Sequence, residues 1–190
     1  MTACCRVCLL ASLLCLHGAL VTACEKAAGV VAYAEVNEEI HILVADHKIN
    51  AARGCGAFGG CIDADETTME GALRELHEET RCALPESLAI DRNTPNVSFG
   101  RFTSYAMKIP FINAEDIASA PPHPRCAGLS GRERGPWAWI ALDDLLDALG
   151  ADDNVNSPFP ASFLPAAEHR WFWSKSMRVI RALNEKNRFR

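Results

Sequence analysis

The chain has 190 residues, of which 49% are hydrophobic and 23% are charged. This composition excludes a disordered chain, a collagen-like repeat and a coiled coil, and the length predicts one domain or one domain with a short appendage. The formal net charge of −5 argues against a protein that mainly binds a nucleic-acid backbone, because such proteins carry an excess of Lys and Arg.

The first 24 residues have the pattern of a secretory signal. Arg6 is the single charge before Glu25, and the apolar stretch that follows it, about ten residues long, is too short to span a bilayer as a helix. Val21-Thr22-Ala23-Cys24 also resembles the bacterial lipobox, in which the cysteine carries a lipid anchor. We therefore expect residues 1–24 to direct export and residues 25–190 to form the folded domain. A misassigned start codon, which would leave a cytoplasmic protein, and an N-terminal helix without an address function are the alternatives.

The body of the chain predicts strands on both sides of a central helix. Apolar, β-branched stretches predict a hairpin over residues 27–35 and 39–46, and a glycine-rich stretch at 54–60 allows a close approach to a ligand. Residues 66–80 carry a helical pattern with Met69, Leu73 and Leu76 on one stripe, and Thr67 or Asp65 is the candidate N-cap.

Further strands and two helices are predicted after the central helix. The strands cover residues 97–99, 102–112 and 137–142, and a short helix covers 143–149. A terminal helix is predicted through Trp171, Trp173, Met177, Ile180 and Leu183. This order indicates an α/β layered fold around a mixed sheet.

Cysteines are concentrated at the N-terminus. Five of the nine lie in the first 24 residues, and the others are Cys55, Cys61, Cys82 and Cys126. These four form no CxxC pair and match no zinc template. Because dense disulfide frameworks are typical of much smaller secreted domains, we expect four separate, small apolar residues.

Three carboxylates of the central helix point to a cation site. Glu75, Glu78 and Glu79 fall within a sector of roughly 100°, away from the apolar stripe. A divalent cation would offset their repulsion, and Mg²⁺ prefers oxygen ligands. Taken alone, the same pattern would indicate an exposed acidic face on which Arg74 pairs with Glu78.

The joint pattern resembles the Nudix box, Gly-x5-Glu-x7-Arg-Glu-U-x-Glu-Glu-x-Gly-U, in which U is apolar. The matching positions are Gly60, Glu66, Arg74, Glu75, Leu76, Glu78, Glu79 and Cys82, and Arg81 replaces the last glycine. The order of predicted elements over residues 27–149 is similar to that family as well. The resemblance implies a Nudix-type α/β/α sandwich around a mixed sheet, the fold of the MutT-type hydrolases. A non-glycine residue at position 81 would cost about 1 kcal/mol if the helix ends in the left-handed conformation.

The resemblance also implies an activity and roles for particular residues. Nudix hydrolases cleave a nucleoside diphosphate linked to another moiety, using Mg²⁺ or Mn²⁺ and water. By position, the metal ligands would be Glu75, Glu78, Glu79 and the carbonyl of Gly59. Glu75 or Glu79 would also orient or deprotonate the attacking water, and Glu66 and Arg74 would form a supporting ion pair. Glu133 would be an extra ligand or base, and the alternative is a solvated loop carboxylate flanked by Arg132 and Arg134.

Several points stay open. A Nudix fold that holds a nucleotide or a partner without turnover is the alternative function, although the complete set of box carboxylates argues against it. Trp171 and Trp173 are candidates either for stacking on a nucleobase or for the core. The substrate's base, sugar and leaving group are undetermined, an oligomer is compatible with the sequence, and attachment to a membrane would require a lipid at Cys24.

Overall fold

Nine strands form one mixed sheet in the computed structural model, which describes residues 24–121, 123–126, 132–152 and 154–189. The predicted signal segment before Cys24 lies outside the described residues. The first two strands, β1 (Ala27–Val36) and β2 (Glu39–His47), form the predicted hairpin, with Tyr33 opposite Ile42. Asn37 and Glu38, which connect these strands, both have positive φ, as a tight hairpin turn requires.

The sheet is built outward from this hairpin. Strand β1 pairs with β4 (Phe58–Cys61) and runs parallel to β6 (Phe102–Lys108), which pairs with β5 (Asn96–Phe99). Strand β2 pairs with β3 (Cys55–Gly56) and with β7 (Arg134–Ala141). Two short strands, β8 (Ser157–Pro158) and β9 (Trp171–Phe172), complete the far edge.

Helices cover both faces of the sheet, so the predicted α/β/α sandwich is confirmed. One face carries α1 (Thr68–Glu79) and α2 (Ala114–Ser119), and the other carries α3 (Leu142–Ala148) and α4 (Ser174–Glu185). Successive side chains of a strand point to opposite faces. Val30 therefore packs in the cluster that contains α1, and Val31 in the cluster that contains α4. Among the described helices, none is long and apolar enough to cross a bilayer.

Helix α1 has well-defined ends. Thr67 is the N-cap, and it forms a capping box with Glu70, in which each side chain accepts a hydrogen bond from the other residue's backbone N–H. At the C-terminal end Arg81 has a φ of 57°, so it accepts the left-handed conformation that the family's glycine would take. Its guanidinium donates to the carbonyl of Ala118 at 2.6 Å and lies 5.0 Å from the ring centroid of Trp137. These contacts offset part of the backbone strain.

Two predicted boundaries were wrong. The strand predicted over residues 102–112 ends at Lys108, and Pro110, which lacks the N–H that a ladder needs, follows two residues later. The terminal helix begins at Ser174, not before Trp171, because residues 171–172 pair with β3 and β8 as a strand.

The expectation of separate cysteines was also wrong. Disulfide bonds join Cys24 to Cys61 and Cys82 to Cys126, and only Cys55 is the buried free thiol that we predicted. The pairing of β1 with β4 brings Cys24 beside Cys61, and the short 3-10 helix Pro124–Cys126 packs against the C-terminal end of α1. Sequence spacing did not show these pairs because the partners are 37 and 44 residues apart.

Candidate active site

The site forms where α1 packs against β4. Gly59 lies opposite Gly29 in the sheet with a φ of 147°, and a Cβ there would lie 2.6 Å from the carbonyl oxygen of Ala28. A Cβ on Gly60 would lie 2.5 Å from Oε1 of Glu75. Position 59 therefore requires glycine because the contact is with backbone, whereas a side chain at position 60 would displace the carboxylate of Glu75. The absence of both side chains lets the carboxylates of the helix reach the main chain of the strand.

Glu79 is the most deeply buried of the acidic residues in this site, with 2% of its surface exposed. Its Oε2 accepts a hydrogen bond of 2.9 Å from the backbone N–H of Gly59, and its Oε1 lies 3.5 Å from Nε of Arg134. Burial raises the pKa of this carboxyl, and Arg134 and the Gly59 N–H oppose the rise. The indole N–H of Trp137 donates to the carbonyl of Glu79 at 3.1 Å, which fixes the end of α1 to β7.

Arg74 connects the remaining acidic residues. Its Nε and Nη2 bind the two oxygens of Glu66 at 2.7 and 3.0 Å, so the predicted ion pair between these residues is present in bidentate form. Its Nη1 bridges Glu75 at 2.9 Å and Glu78 at 3.2 Å. Hydrogen bonding to Arg74 lowers the pKa of Glu66.

The three helix carboxylates carry unfavourable negative charge. Burial, followed by the nearby charge of Glu79, raises the pKa of Glu75 to about 7, and Arg74 only partly opposes this. Burial also raises the pKa of Glu78. The side chain of Glu75 is only 12% exposed, so these carboxylates do not form the exposed acidic face that the helix pattern alone would indicate. The Arg74–Glu78 pair expected for such a face is nevertheless present. An all-oxygen donor set whose negative charge is only partly compensated by Arg74 and Arg134 fits a hard divalent cation such as Mg²⁺ or Mn²⁺.

A second group of side chains adjoins Glu79. One ligand atom each from His47, Glu79 and Glu133 lies within 4.8 Å of the other two. The carbonyl of Glu133 accepts a hydrogen bond of 2.8 Å from the N–H of Lys48, which holds this segment against the end of β2. Burial lowers the pKa of His47 to about 4, with Arg134 and Arg53 adding to the effect, so the imidazole is neutral at pH 7.

Sequence reasoning missed His47 and misinterpreted Arg134. Arg134 was considered only as a solvated neighbour of Glu133, but it is 2% exposed and donates to the carbonyls of Gly56 and Ala57. Arg134 is the first residue of β7, and its closeness in sequence to the predicted strand over residues 137–142 was the available signal, because an arginine inside a sheet must find a partner there. His47 ends a strand without any motif and gave no signal.

The NUDIX domain family model matches residues 25–162. The chain belongs to the Nudix family. The Nudix box runs from Gly60 to Cys82, and the structure brings the charged residues at its matching positions together in the site described above: Glu66, Arg74, Glu75, Glu78 and Glu79. Glu133, outside the box, lies beside Glu79. Helix α4 and the residues that precede it from 163 onward lie beyond the matched region.

Solved Nudix structures share this fold. An Ap4A hydrolase from C. elegans, solved as a binary complex, is 16% identical, with a TM-score of 0.51 over 85% of this chain and 98% of that one. The NUDIX domain of Shewanella oneidensis NrtR, solved with ADP ribose, is 14% identical, with a TM-score of 0.50 over 87% of this chain and 89% of that one. No protein of curated function is significantly similar in sequence.

Proposed function

We propose that this Nudix protein is a metal-dependent hydrolase that cleaves a phosphoanhydride bond in a nucleoside diphosphate linked to another moiety. One observation carries the proposal: one helix brings three carboxylates of raised pKa against the side-chain-free backbone of Gly59 and Gly60. Such a cluster is costly for folding, since each carboxyl is disfavoured in its charged form. Residues that destabilise their own fold in this way are typical of functional sites.

The metal ligands in this proposal are Glu75, Glu78, Glu79 and the carbonyl of Gly59. Mg²⁺ or Mn²⁺, when bound, supplies neutralisation of phosphate charge and a polarised water. Either Glu75 or Glu79 is proposed to orient or deprotonate the attacking water.

Supporting residues hold these ligands in place. Arg74 orients Glu75 and Glu78 through its bidentate anchor on Glu66, and the N–H of Gly59 holds Glu79. Glu133 is proposed as an additional ligand or base, because it lies within reach of Glu79.

The replacement Glu79→Gln tests this proposal. It keeps an acceptor for the Gly59 N–H but removes the charge, so we expect an intact fold and a loss of turnover of about 100-fold or more. The matched control is Glu115→Gln, which makes the same change at an exposed position on α2 and should leave turnover unchanged. Turnover of Glu79→Gln equal to that of the unmodified protein would remove these carboxylates from the mechanism.

A substrate panel separates hydrolysis from nucleotide binding without turnover. ADP-ribose and Ap4A belong in the panel because they occur in the names of the structural neighbours, and nucleoside triphosphates complete it. Release of nucleotide products that depends on Mg²⁺ or Mn²⁺ supports the hydrolase. Binding of a compound without any product from it favours the alternative of a silent binding module.

We also propose that the protein acts in an oxidising compartment outside the cytoplasm. The two disulfides found among the described residues support this, because such bonds persist mainly in exported proteins. The signal-like pattern of the first 24 residues supports it as well. The sulfur of Cys24 that binds Cys61 cannot also carry a lipid thioether, so the disulfide and the lipid anchor are mutually exclusive. Non-reducing mass spectrometry of the natural protein tests the proposal: a shortened chain with two disulfides supports it, and a full-length reduced chain contradicts it.

A further inference from the structure

A cavity of about 460 Å³ opens beside the candidate active site, and Gly59 and Gly60 form part of its wall. The connection between β2 and β3 contributes Arg53 to the rest of the wall, and two further elements contribute aromatic side chains. One is the β5–β6 hairpin, which contributes Phe99 and Phe102, and the other is the start of α4, which contributes Trp173. A ligand bound at the carboxylates through a phosphate would therefore extend into this cavity.

Helix α4 is firmly attached next to the site. The N–H of Trp173 donates to the carbonyl of Cys55 at 2.8 Å, and the N–H of Ala57 donates to Oγ of Ser176 at 3.2 Å. The segment before the helix is held by the buried carboxylate of Asp46, which accepts hydrogen bonds from the backbone N–H groups of Glu168 and His169 and pairs with the His169 ring at 2.7 Å. Trp173 therefore belongs to a fixed wall.

The cavity is strongly cationic. Arg53, Arg101 and Lys175 line it, and no acidic residue of the described chain does so. Within the same described part, none of these three forms an ion pair with a carboxylate. Two of them lie against the indole of Trp173, with the Arg53 guanidinium 5.1 Å and the Lys175 ammonium 5.6 Å from its ring centroid. The aromatic ring thus positions two positive charges.

These charges continue from the carboxylate site. Nη1 of Arg53 is 3.3 Å from Nε2 of His47, and His47 in turn places a ring nitrogen within 4.8 Å of a carboxylate oxygen of Glu79. Contacts therefore connect the carboxylate site to both cations: Arg53 lies beside His47, and Arg53 and Lys175 both lie against Trp173. Phe99 lies on the hairpin side of the cavity; the Arg178 guanidinium lies 5.7 Å from its ring centroid, and 38% of the residue's surface stays exposed for a stacking partner.

We infer that this cavity selects nucleoside or dinucleoside polyphosphates with three or more phosphates. In this assignment, Arg53 and Lys175 contact phosphates beyond the scissile anhydride and Phe99 stacks on the base. A diphosphate conjugate such as ADP-ribose has no phosphate beyond the scissile pair for these two cations to contact. This inference rests on the proposed function, because the scissile bond is placed at the proposed metal ligands. It adds which class of substrate the protein selects.

Two variants with a matched control test the assignment by equilibrium binding in the Glu79→Gln background, in which turnover does not interfere. Lys175→Gln should weaken the binding of Ap4A or ATP by about 5- to 10-fold, as expected when a charge-assisted phosphate contact is lost. It should weaken the binding of ADP-ribose by less than about 2-fold. Lys186→Gln removes the same charge at the far end of α4 and should change neither. Phe99→Leu should weaken the binding of ATP by about 5-fold or more. The binding of inorganic triphosphate, which has no base, should stay unchanged.

The outcomes separate the two proposals. If the unmodified protein hydrolyses ADP-ribose with a kcat/KM equal to or above that for Ap4A and ATP, the inference is wrong and the hydrolase proposal stands. Equal effects of Lys175→Gln and Lys186→Gln would also overturn the inference. If no compound is hydrolysed but polyphosphates bind with the predicted dependence on Lys175 and Phe99, the inference stands and the hydrolase proposal fails.

Discussion

Replacing Glu75 by Gln is expected to stabilise the metal-free protein at pH 8. Burial and the charge of Glu79 raise the pKa of Glu75 from an ordinary 4.5 to about 7. The folded state therefore binds this proton more tightly than the unfolded state, so the free energy of unfolding falls as the pH rises from about 4.5 to about 7. The full difference corresponds to about 3 kcal/mol, because each pKa unit is about 1.4 kcal/mol.

Glutamine removes the charge and keeps most of the contacts. Its amide oxygen can still accept the hydrogen bond from Nη1 of Arg74, and Arg74 retains its bidentate partner Glu66. Allowing for partial loss of the ionic contact, we expect Glu75→Gln to be about 1–3 kcal/mol more stable at pH 8. At pH 4 the two proteins should be equally stable, because Glu75 is then protonated in both the folded and unfolded states.

Urea unfolding in EDTA at pH 4 and pH 8, repeated with Mg²⁺ at pH 8, measures these effects. Mg²⁺ should stabilise the unmodified protein more than Glu75→Gln, because binding to the folded state alone raises stability in proportion to affinity and the variant lacks one ligand. Glu115→Gln should follow the unmodified protein throughout. A Glu75→Gln protein that is less stable than the unmodified one in EDTA at pH 8 would refute the electrostatic reasoning, and an equal gain from Mg²⁺ would refute the ligand assignment.

Two further predictions concern the surroundings of the box. Arg74→Lys keeps the positive charge, but a lysine cannot bind Glu66 in bidentate form and also bridge Glu75 and Glu78. We therefore expect kcat to fall by about 10-fold with little change in Tm. An unchanged kcat would contradict this role. Each disulfide closes a loop of 37 or 44 residues and stabilises the fold by about 4 kcal/mol in the chain-entropy model. A reductant should therefore lower the Tm by about 10 °C or more, and a Tm insensitive to it would contradict the pairing.

The helix that carries the site was predictable because its information is local. The period of Met69, Leu73 and Leu76 placed one face of α1 against the core, and the same period placed Glu75, Glu78 and Glu79 on another side. The Glu66–Arg74 pair followed from the resemblance to the Nudix box, and the structure contains it. The sequence left open how the helix ends at Arg81, and the structure shows that this residue takes the left-handed conformation.

Residues far apart in sequence could not be assigned in this way. Arg134 became a partner of Glu79 only because β7 pairs with β2, and the cysteine pairs depend on contacts across the fold. Trp173 was predicted to lie within a helix. It lies just before α4, where the pairing of β9 with β3 and its own hydrogen bond to Cys55 hold it in place.

The sequence by itself determined the layered fold and the acidic helix, because hydrophobic periodicity and short-range spacing are properties of neighbouring residues. Only the tertiary structure decided how deeply those carboxylates are buried, which arginine pairs with each of them, and which residues line the cavity beside them. Burial and charge compensation depend on elements that meet through the sheet, and no local pattern encodes that meeting.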